Sequence, residues 1–295
     1  MARVRQPKAK RQSVGLLFVA PSVLLLVALN IFPFVFAAYM SLYNWSLAKP
    51  GPPRFLGWFN YRILLEDDRF LNSIAVSATF VVLSVAVELL FGLALAFLFN
   101  ARIRGMVTLR KFTLVPVMVT PLVGGLVWFY LFNETYGTIT WMADALGLGR
   151  IEFFTDEWLA MFCIVVADAW QWTPLVMVII FAALQSIPEY VYEAGRMDGL
   201  SERQMLWRIT LPLLRPAIVI VLILRAIDSF RNLELVYMMT RGGPGGATET
   251  LPWYIYTTGF VNQDLGSAAA MAVVMIVIVT IFSQFLVRQV RYREL

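Results

Sequence analysis

The sequence predicts an all-α membrane protein with six transmembrane helices and a polar cytoplasmic loop between the fourth and the fifth. Three observations carry this reading. Of 295 residues, 60% are hydrophobic and 15% charged, with a mean hydropathy of +0.73, far from soluble composition. Six apolar runs, 16–42, 74–99, 112–132, 159–184, 217–239 and 268–287, each reach the roughly 20 residues that a helix needs to cross a bilayer. Between the fourth and fifth runs, the segment 186–216 is polar and carries signals for helix starts.

Basic residues orient the runs. With a cytoplasmic N-terminus, the inside segments hold 16 Lys and Arg: five before residue 16, four in 100–111, four in 185–215 and three after residue 287. The outside loops hold six. Short cytoplasmic loops are rich in Lys and Arg, so both termini and the 186–216 loop are expected inside. The net charge of +5 then reflects topology, and no basic groove-binding motif points to nucleic acid. The chain divides into a basic N-terminus 1–15, one transmembrane domain 16–288 and a tail 289–295, with no separate soluble domain. The first run follows the basic stretch Arg3 to Arg11, as a secretory signal would. It is longer than a signal core, contains Pro21 and Pro33 and lacks a small-residue cleavage site, so a retained helix is expected.

The second run contains Glu88, which needs a partner or water that the sequence does not identify. In the third, Pro116, Pro121, Gly124 and Gly125 predict a bent helix with close neighbours, a packing role before a solute contact. The fourth contains Asp168-Ala169-Trp170-Gln171-Trp172-Thr173-Pro174. There Pro174 favours a kink, beside which an amide and an aromatic face suit a sugar ring. Trp170 and Trp172 read equally as interfacial belt residues.

The fifth run carries Arg225, Asp228 and Arg231. A charge at membrane depth costs about 2.5 to 3.5 kcal/mol on insertion scales and faces a bundle interior or a water cavity. Arg225, Asp228, Ser229 and Asn232 follow helical spacings of three, four and seven, which form one polar stripe, the first choice for a translocation path. The alternatives are an Arg225–Asp228 pair that locks helices together, or an interfacial position for part of the stripe. Beyond it, Arg241-Gly242-Gly243-Pro244-Gly245-Gly246 reads as a flexible outer turn, followed by a short interfacial helix from Leu251-Pro252-Trp253-Tyr254-Ile255-Tyr256.

In the 186–216 loop, Ser186 with Glu189 and Ser201 with Gln204 each fit the Ser-x-x-Glu/Gln capping box. Two short helices follow, the first over 187–198 and the second ending near Leu211-Pro212, with Pro216 opening the next segment. Adjacent Ala194 and Gly195 leave a shallow side that another protein's backbone can approach, and Gly199 permits the turn.

The absences narrow the chemistry. There is no His, which removes histidine bases and histidine-ligated zinc or haem. Cys163 is the single cysteine, so no intrachain disulfide or cysteine metal cluster forms. No Gly-x-x-x-x-Gly-Lys-Ser/Thr loop is present, so ATP is not expected on this chain. An enzyme is therefore remote. An ion-coupled secondary transporter is the alternative raised by the intramembrane charges, though no internal repeat is evident.

Glu193-Ala194-Gly195, three residues, Gly199, nine residues, then Ile209-Thr210-Leu211-Pro212 resembles the Glu-Ala-Ala loop of ATP-binding-cassette importer permeases, in particular their maltose, trehalose, polyol and glycerol-phosphate branch. Leu184-Gln185-Ser186-Ile187-Pro188 and Gly242-Gly243-Pro244 resemble that branch too, and Gly195 replaces a usual second Ala. The resemblance implies a permease in the bacterial or archaeal cytoplasmic membrane that takes up a sugar or related solute. It implies as partners a second homologous permease, two ATPase subunits that bind ATP and Mg, and an extracytoplasmic solute-binding protein. ATPase coupling would fall on Glu193, Ala194, Gly195, Asp198, Gly199, Ile209, Leu211 and Pro212. Solute contacts would fall on Gln171, Trp172 and Leu175, and near Arg225, Ser229 and Asn232, with Asp228 shaping the field. The 241–256 segment would help meet the binding protein.

Overall fold

The computed structural model describes residues 18–48, 51–101 and 105–291. The basic N-terminus 1–15 and residues 292–295 of the tail lie outside the described residues. The chain forms two compact units, 1–66 with 255–274, and 67–254 with 275–295.

The first unit contains α1 (Phe18–Met40), a pair of two-residue strands and α2 (Phe59–Glu66). In the pair, β1 (Tyr43–Asn44) runs antiparallel to β2 (Arg54–Phe55), with Tyr43 opposite Phe55. The buried Asn60 amide donates to the Ser41 and Tyr43 carbonyls at 2.7 and 3.0 Å. It thereby satisfies carbonyls where the chain leaves α1.

The second unit carries the candidate site. Its elements are α3 (Asp68–Asn100), α4 (Met106–Thr113), α5 (Pro121–Leu131), α6 (Thr138–Ala145), α7 (Glu157–Gln185), α8 (Glu189–Met197), α9 (Glu202–Phe230) and α10 (Glu234–Met239). After them come α11 (Leu251–Tyr256) and α12 (Leu265–Arg291), each with residues in both units. Asp67 caps α3 through the Arg69 amide, and Asp156 caps α7 through those of Trp158 and Leu159.

Between α3 and α7 the backbones approach closely at Gly92, where an added Cβ would sit 2.5 Å from a Val176 methyl. Ala96, Phe99, Val176, Met177, Ile180, Leu184, Leu214 and Val221 complete a buried apolar core among α3, α7 and α9. Small residues are what allow such close packing where lipid is as apolar as the side chains.

Among the described residues, five helices are long and apolar enough to cross a membrane: α1, α3, α7, α9 and residues 265–285 of α12. A sixth candidate is broken, because Thr108–Met118 meets Pro121–Leu131 at 99°. The third run is thus bent as its prolines predicted. Pro116 lies in a short 3₁₀ turn, Val115–Met118, and Pro121 opens α5 where its missing N–H is no loss.

The fifth run departs from expectation. Residues 202–230 form one continuous span, with a π turn at Leu206–Thr210 ahead of Pro212 and Pro216, so neither proline separates a loop helix from the span. The π turn absorbs the irregular hydrogen bonding. At the other end the span stops at Phe230, nine residues short of the expected 239, and α10 follows separately. Asn232 accounts for the break, because its side-chain oxygen accepts the Leu235 N–H and starts the new helix.

Candidate functional site

The loop between α7 and α9 has one of its two expected capping boxes. Ser201 and Gln204 form theirs reciprocally, with Ser201 N–H donating to Gln204 Oε1 at 2.9 Å. Ser186 and Glu189 do not: Ser186 extends the end of α7 and donates to the Ala183 carbonyl, while Pro188 precedes α8 in extended conformation. A proline at that position fixes the entry without a side-chain cap.

Gly199 closes α8 at φ +76°, with Gly199 N–H on the Arg196 carbonyl and Leu200 N–H on that of Gly195, the Schellman pattern. The shallow side expected at Ala194 and Gly195 is divided. Ala194 is exposed, but Gly195 is buried, and a Cβ there would meet Ile209 at 2.8 Å. Glu193, Asp198 and Pro212 are exposed, while Ile209 and Leu211 are half-buried. Gln185 donates to Asn100 at 2.6 Å, so α3 and α7 end together beside this loop.

Deep in the spans, the polar stripe becomes a clasp. Arg225, 1% exposed, donates Nε and Nη2 to the two oxygens of Glu88 at 2.6 and 2.8 Å. Nη2 also reaches Asp168 at 3.2 Å, and Asp168 further accepts from Ser229 at 3.3 Å and Asn232 at 3.1 Å. Both acids are fully buried. The guanidinium lies 4.6 Å from the centre of the half-buried Trp172 ring. Glu88, whose partner the sequence left open, thus pairs with Arg225. The pairing of Arg225 with Asp228 is the looser one, at 3.6 Å, and the Asp228 side chain is 50% exposed.

The stripe is therefore not a single face. Arg225 and Ser229 turn inward, Asp228 turns out, and Asn232 joins from beyond the helix end. Sequence reasoning missed Asp168 as the hub and Glu88 as the chief partner. The available signal was stoichiometric: acidic residues in the second and fourth runs had no basic residue in their own runs.

Gln171 is also buried, and its amide donates to the Val119 carbonyl at 2.7 Å. That carbonyl stands at the break of the third run, where Pro121 offers no N–H. Gly124 faces Gln171 and Trp170, and Gly125 faces Leu235 and Met238. α7 passes through Pro174 as one helix. Trp170 and Trp172 sit near its middle rather than at an end, which removes the belt reading; Trp170 meets Trp128 edge-on at 5.9 Å. Leu175 is half-buried.

At the opposite end of α3, the segment expected to be a flexible turn is folded against the span. Arg69 holds Glu249 by two hydrogen bonds of 2.8 and 2.7 Å, Tyr254 donates to Asp67 at 2.7 Å, and Leu251 N–H donates to Ser77. Thr248 ties back to Thr240 and the Gly243 carbonyl. Burial, with the Asp67 carboxylate next, pushes the Tyr254 phenol up, which keeps it a neutral donor. Among the described residues no cluster of three His, Cys, Asp or Glu could hold a metal ion.

Residues 88–292 match the family described as binding-protein-dependent transport system inner membrane component. This chain belongs to that family. The matched stretch contains both the loop and the clasp. The trehalose/maltose transport system permease protein MalF of Thermococcus litoralis is 32% identical over 97% of each chain. The sn-glycerol-3-phosphate transport system permease protein UgpA of Rhizobium meliloti is 34% identical over 94% of each. A bacterial ABC transporter involved in import of the acidic polysaccharide alginate shares the fold, with a TM-score of 0.81 at 19% identity, covering 96% of this chain and 97% of the other. The permease is thus a multi-pass inner-membrane protein and a transport component rather than an enzyme.

Proposed function

We propose that the chain is the permease subunit of an ATP-driven, solute-binding-protein-dependent importer for a sugar or related polyol, and that it spans the membrane six times with both termini cytoplasmic. The observation that carries this reading is the family match, which includes the loop closed by Gly199 and capped by Ser201. Relatives named for trehalose, maltose and glycerol phosphate support the solute class. A solved alginate transporter bound to its periplasmic protein supports the binding-protein partner. Counting the bent pair as one span gives the sixth crossing.

In this reading a second homologous permease shares the path and two ATPase subunits bind ATP and Mg. The 186–216 loop is cytoplasmic and seats against an ATPase through Glu193, Ala194 and Asp198, while Gly195, Ile209, Leu211 and Pro212 carry its motion into α9. Because α9 is continuous from Glu202 to Phe230, a push on the loop reaches the depth of Arg225 along one helix. Gln171, Trp172, Leu175, Ser229 and Asn232 border the path, with Arg225 and Asp228 beside it. The charges that favoured ion coupling are bonded to each other, which weakens that alternative.

The experiment reverses or distorts the loop. Glu193→Lys removes a contact charge, and Gly199→Val forces a β-branched residue to φ +76°, where no neighbour clashes but the backbone is strained. Both variants should assemble, hydrolyse ATP and lose most uptake. Wild-type uptake in both defeats the assignment.

A further inference from the structure

The clasp contains groups that the proposed path does not use, and their geometry restricts what Arg225 can do. An arginine recognises an anion best through two parallel N–H donors, from its Nε/Nη edge or its Nη1/Nη2 edge. Here Nε and Nη2 both hold Glu88, and Nη2 also holds Asp168, so neither edge has both of its donors free. Nη1 has no hydrogen-bond partner and faces Asp228 at 3.6 Å. Three carboxyl groups thus surround one guanidinium. Its central carbon lies over the Trp172 ring, 4.6 Å from the centre, and the indole is half-buried, so part of it stays accessible. Asp168 also takes the Ser229 hydroxyl and the Asn232 amide, two groups assigned to the path.

We infer that Glu88 and Asp168 are positioning residues for the solute path: through Arg225 they hold the Trp172 indole as a fixed platform, and the path suits an uncharged hydroxylated solute rather than an anionic one. The inference rests on the importer reading above and names the solute class within it. Mechanically, a guanidinium gripped by two helices, α3 and α7, is a stiffer backing for an aromatic ring than a free arginine would be. The carboxylates around it also repel an approaching anion at short range, where screening by salt is weak. An uncharged ring that stacks on the indole meets no such opposition.

The test uses the complete transporter, with its second permease, ATPases and binding protein, in proteoliposomes, and measures ATP-driven uptake of trehalose and of sn-glycerol 3-phosphate. Glu88→Gln and Trp172→Ala should each lower the maximal trehalose rate roughly tenfold, and the double variant should also lie roughly tenfold down, because both act through one group. The binding-protein concentration for half-maximal uptake should stay unchanged. Arg225→Lys should not rescue, since a lysine lacks the fork and the flat face.

A roughly hundredfold loss in the double variant, or a normal rate in Glu88→Gln, overturns the inference. If Glu88→Gln does not assemble, Asp168→Asn with Trp172→Ala gives the same cycle, and failure of both acid variants to assemble marks the clasp as purely structural and also overturns it. Uptake of sn-glycerol 3-phosphate whose KM rises in Arg225→Gln makes Arg225 an anion receptor, which overturns the inference and leaves the importer reading standing. Uptake of sn-glycerol 3-phosphate but not of trehalose by the wild type likewise overturns the inference and leaves the importer reading standing.

Discussion

Replacing Arg225 by Met would leave Glu88 and Asp168 buried without their shared cation. Breaking a buried ion pair from one side costs about 3–5 kcal/mol, so the melting temperature of the purified complex should drop sharply. Arg225→Met combined with Glu88→Met should recover much of that loss, because Asp168 keeps Ser229 and Asn232 as donors. A single variant as stable as the wild type would show that the clasp contributes nothing. At this scale the sequence was only partly legible. It exposed Arg225, Ser229 and Asn232 by their spacing, since charges inside apolar runs are conspicuous. It could not pair Arg225 with Glu88, which lies 137 positions away on another helix. The Arg225–Asp228 pair that the spacing allowed is present at 3.6 Å, but the helix leaves the Asp228 side chain half-exposed, which spacing alone did not show.

Among the helices, the contact most sensitive to a single methyl lies between α3 and α7. Gly92→Ala would place its Cβ 2.5 Å from a Val176 methyl and 3.3 Å from the Met177 backbone nitrogen. Overpacking of this kind costs about 1–3 kcal/mol, and Gly92→Ala with Val176→Ala should restore most of the stability in the same melting assay. An unchanged melting temperature in Gly92→Ala would mean that the two helices part more easily than their packing implies. Apolar run length located most spans well, because a bilayer sets a minimum helix length. It failed on the fifth, where two prolines looked like boundaries and a π turn carried the helix past them. It also placed α10 inside that span, because the apolar residues of α10 continue the run after Asn232 has ended the helix.

For the molecule as a whole, the expected sidedness can be read by labelling. In a background without Cys163, a cysteine at the exposed Met197 should be shielded from an impermeant thiol reagent applied outside, and one at the exposed Tyr136 should react. The reverse pattern would invert the topology and move the loop away from any cytoplasmic ATPase. Five of the six expected spans correspond to helices long and apolar enough to cross a membrane, while the third run folds through 99°, a geometry that two prolines announce but do not measure. The clasp also fixes an order of events during synthesis. Glu88 leaves the ribosome 137 residues before Arg225, which at about 5–20 residues per second is a delay of roughly 7 to 27 s. Over that interval the second span carries an acid whose counter-ion has not yet been made, and over its last 57 residues the fourth span does too. An acid at membrane depth costs about 2.5 to 3.5 kcal/mol, less than the apolar residues of each span return at about 0.3 to 0.6 kcal/mol apiece, so both spans can insert early while their acids wait for the fifth span to bring the arginine that satisfies them. Completion of the fifth span is therefore the step at which both acids gain their shared cation.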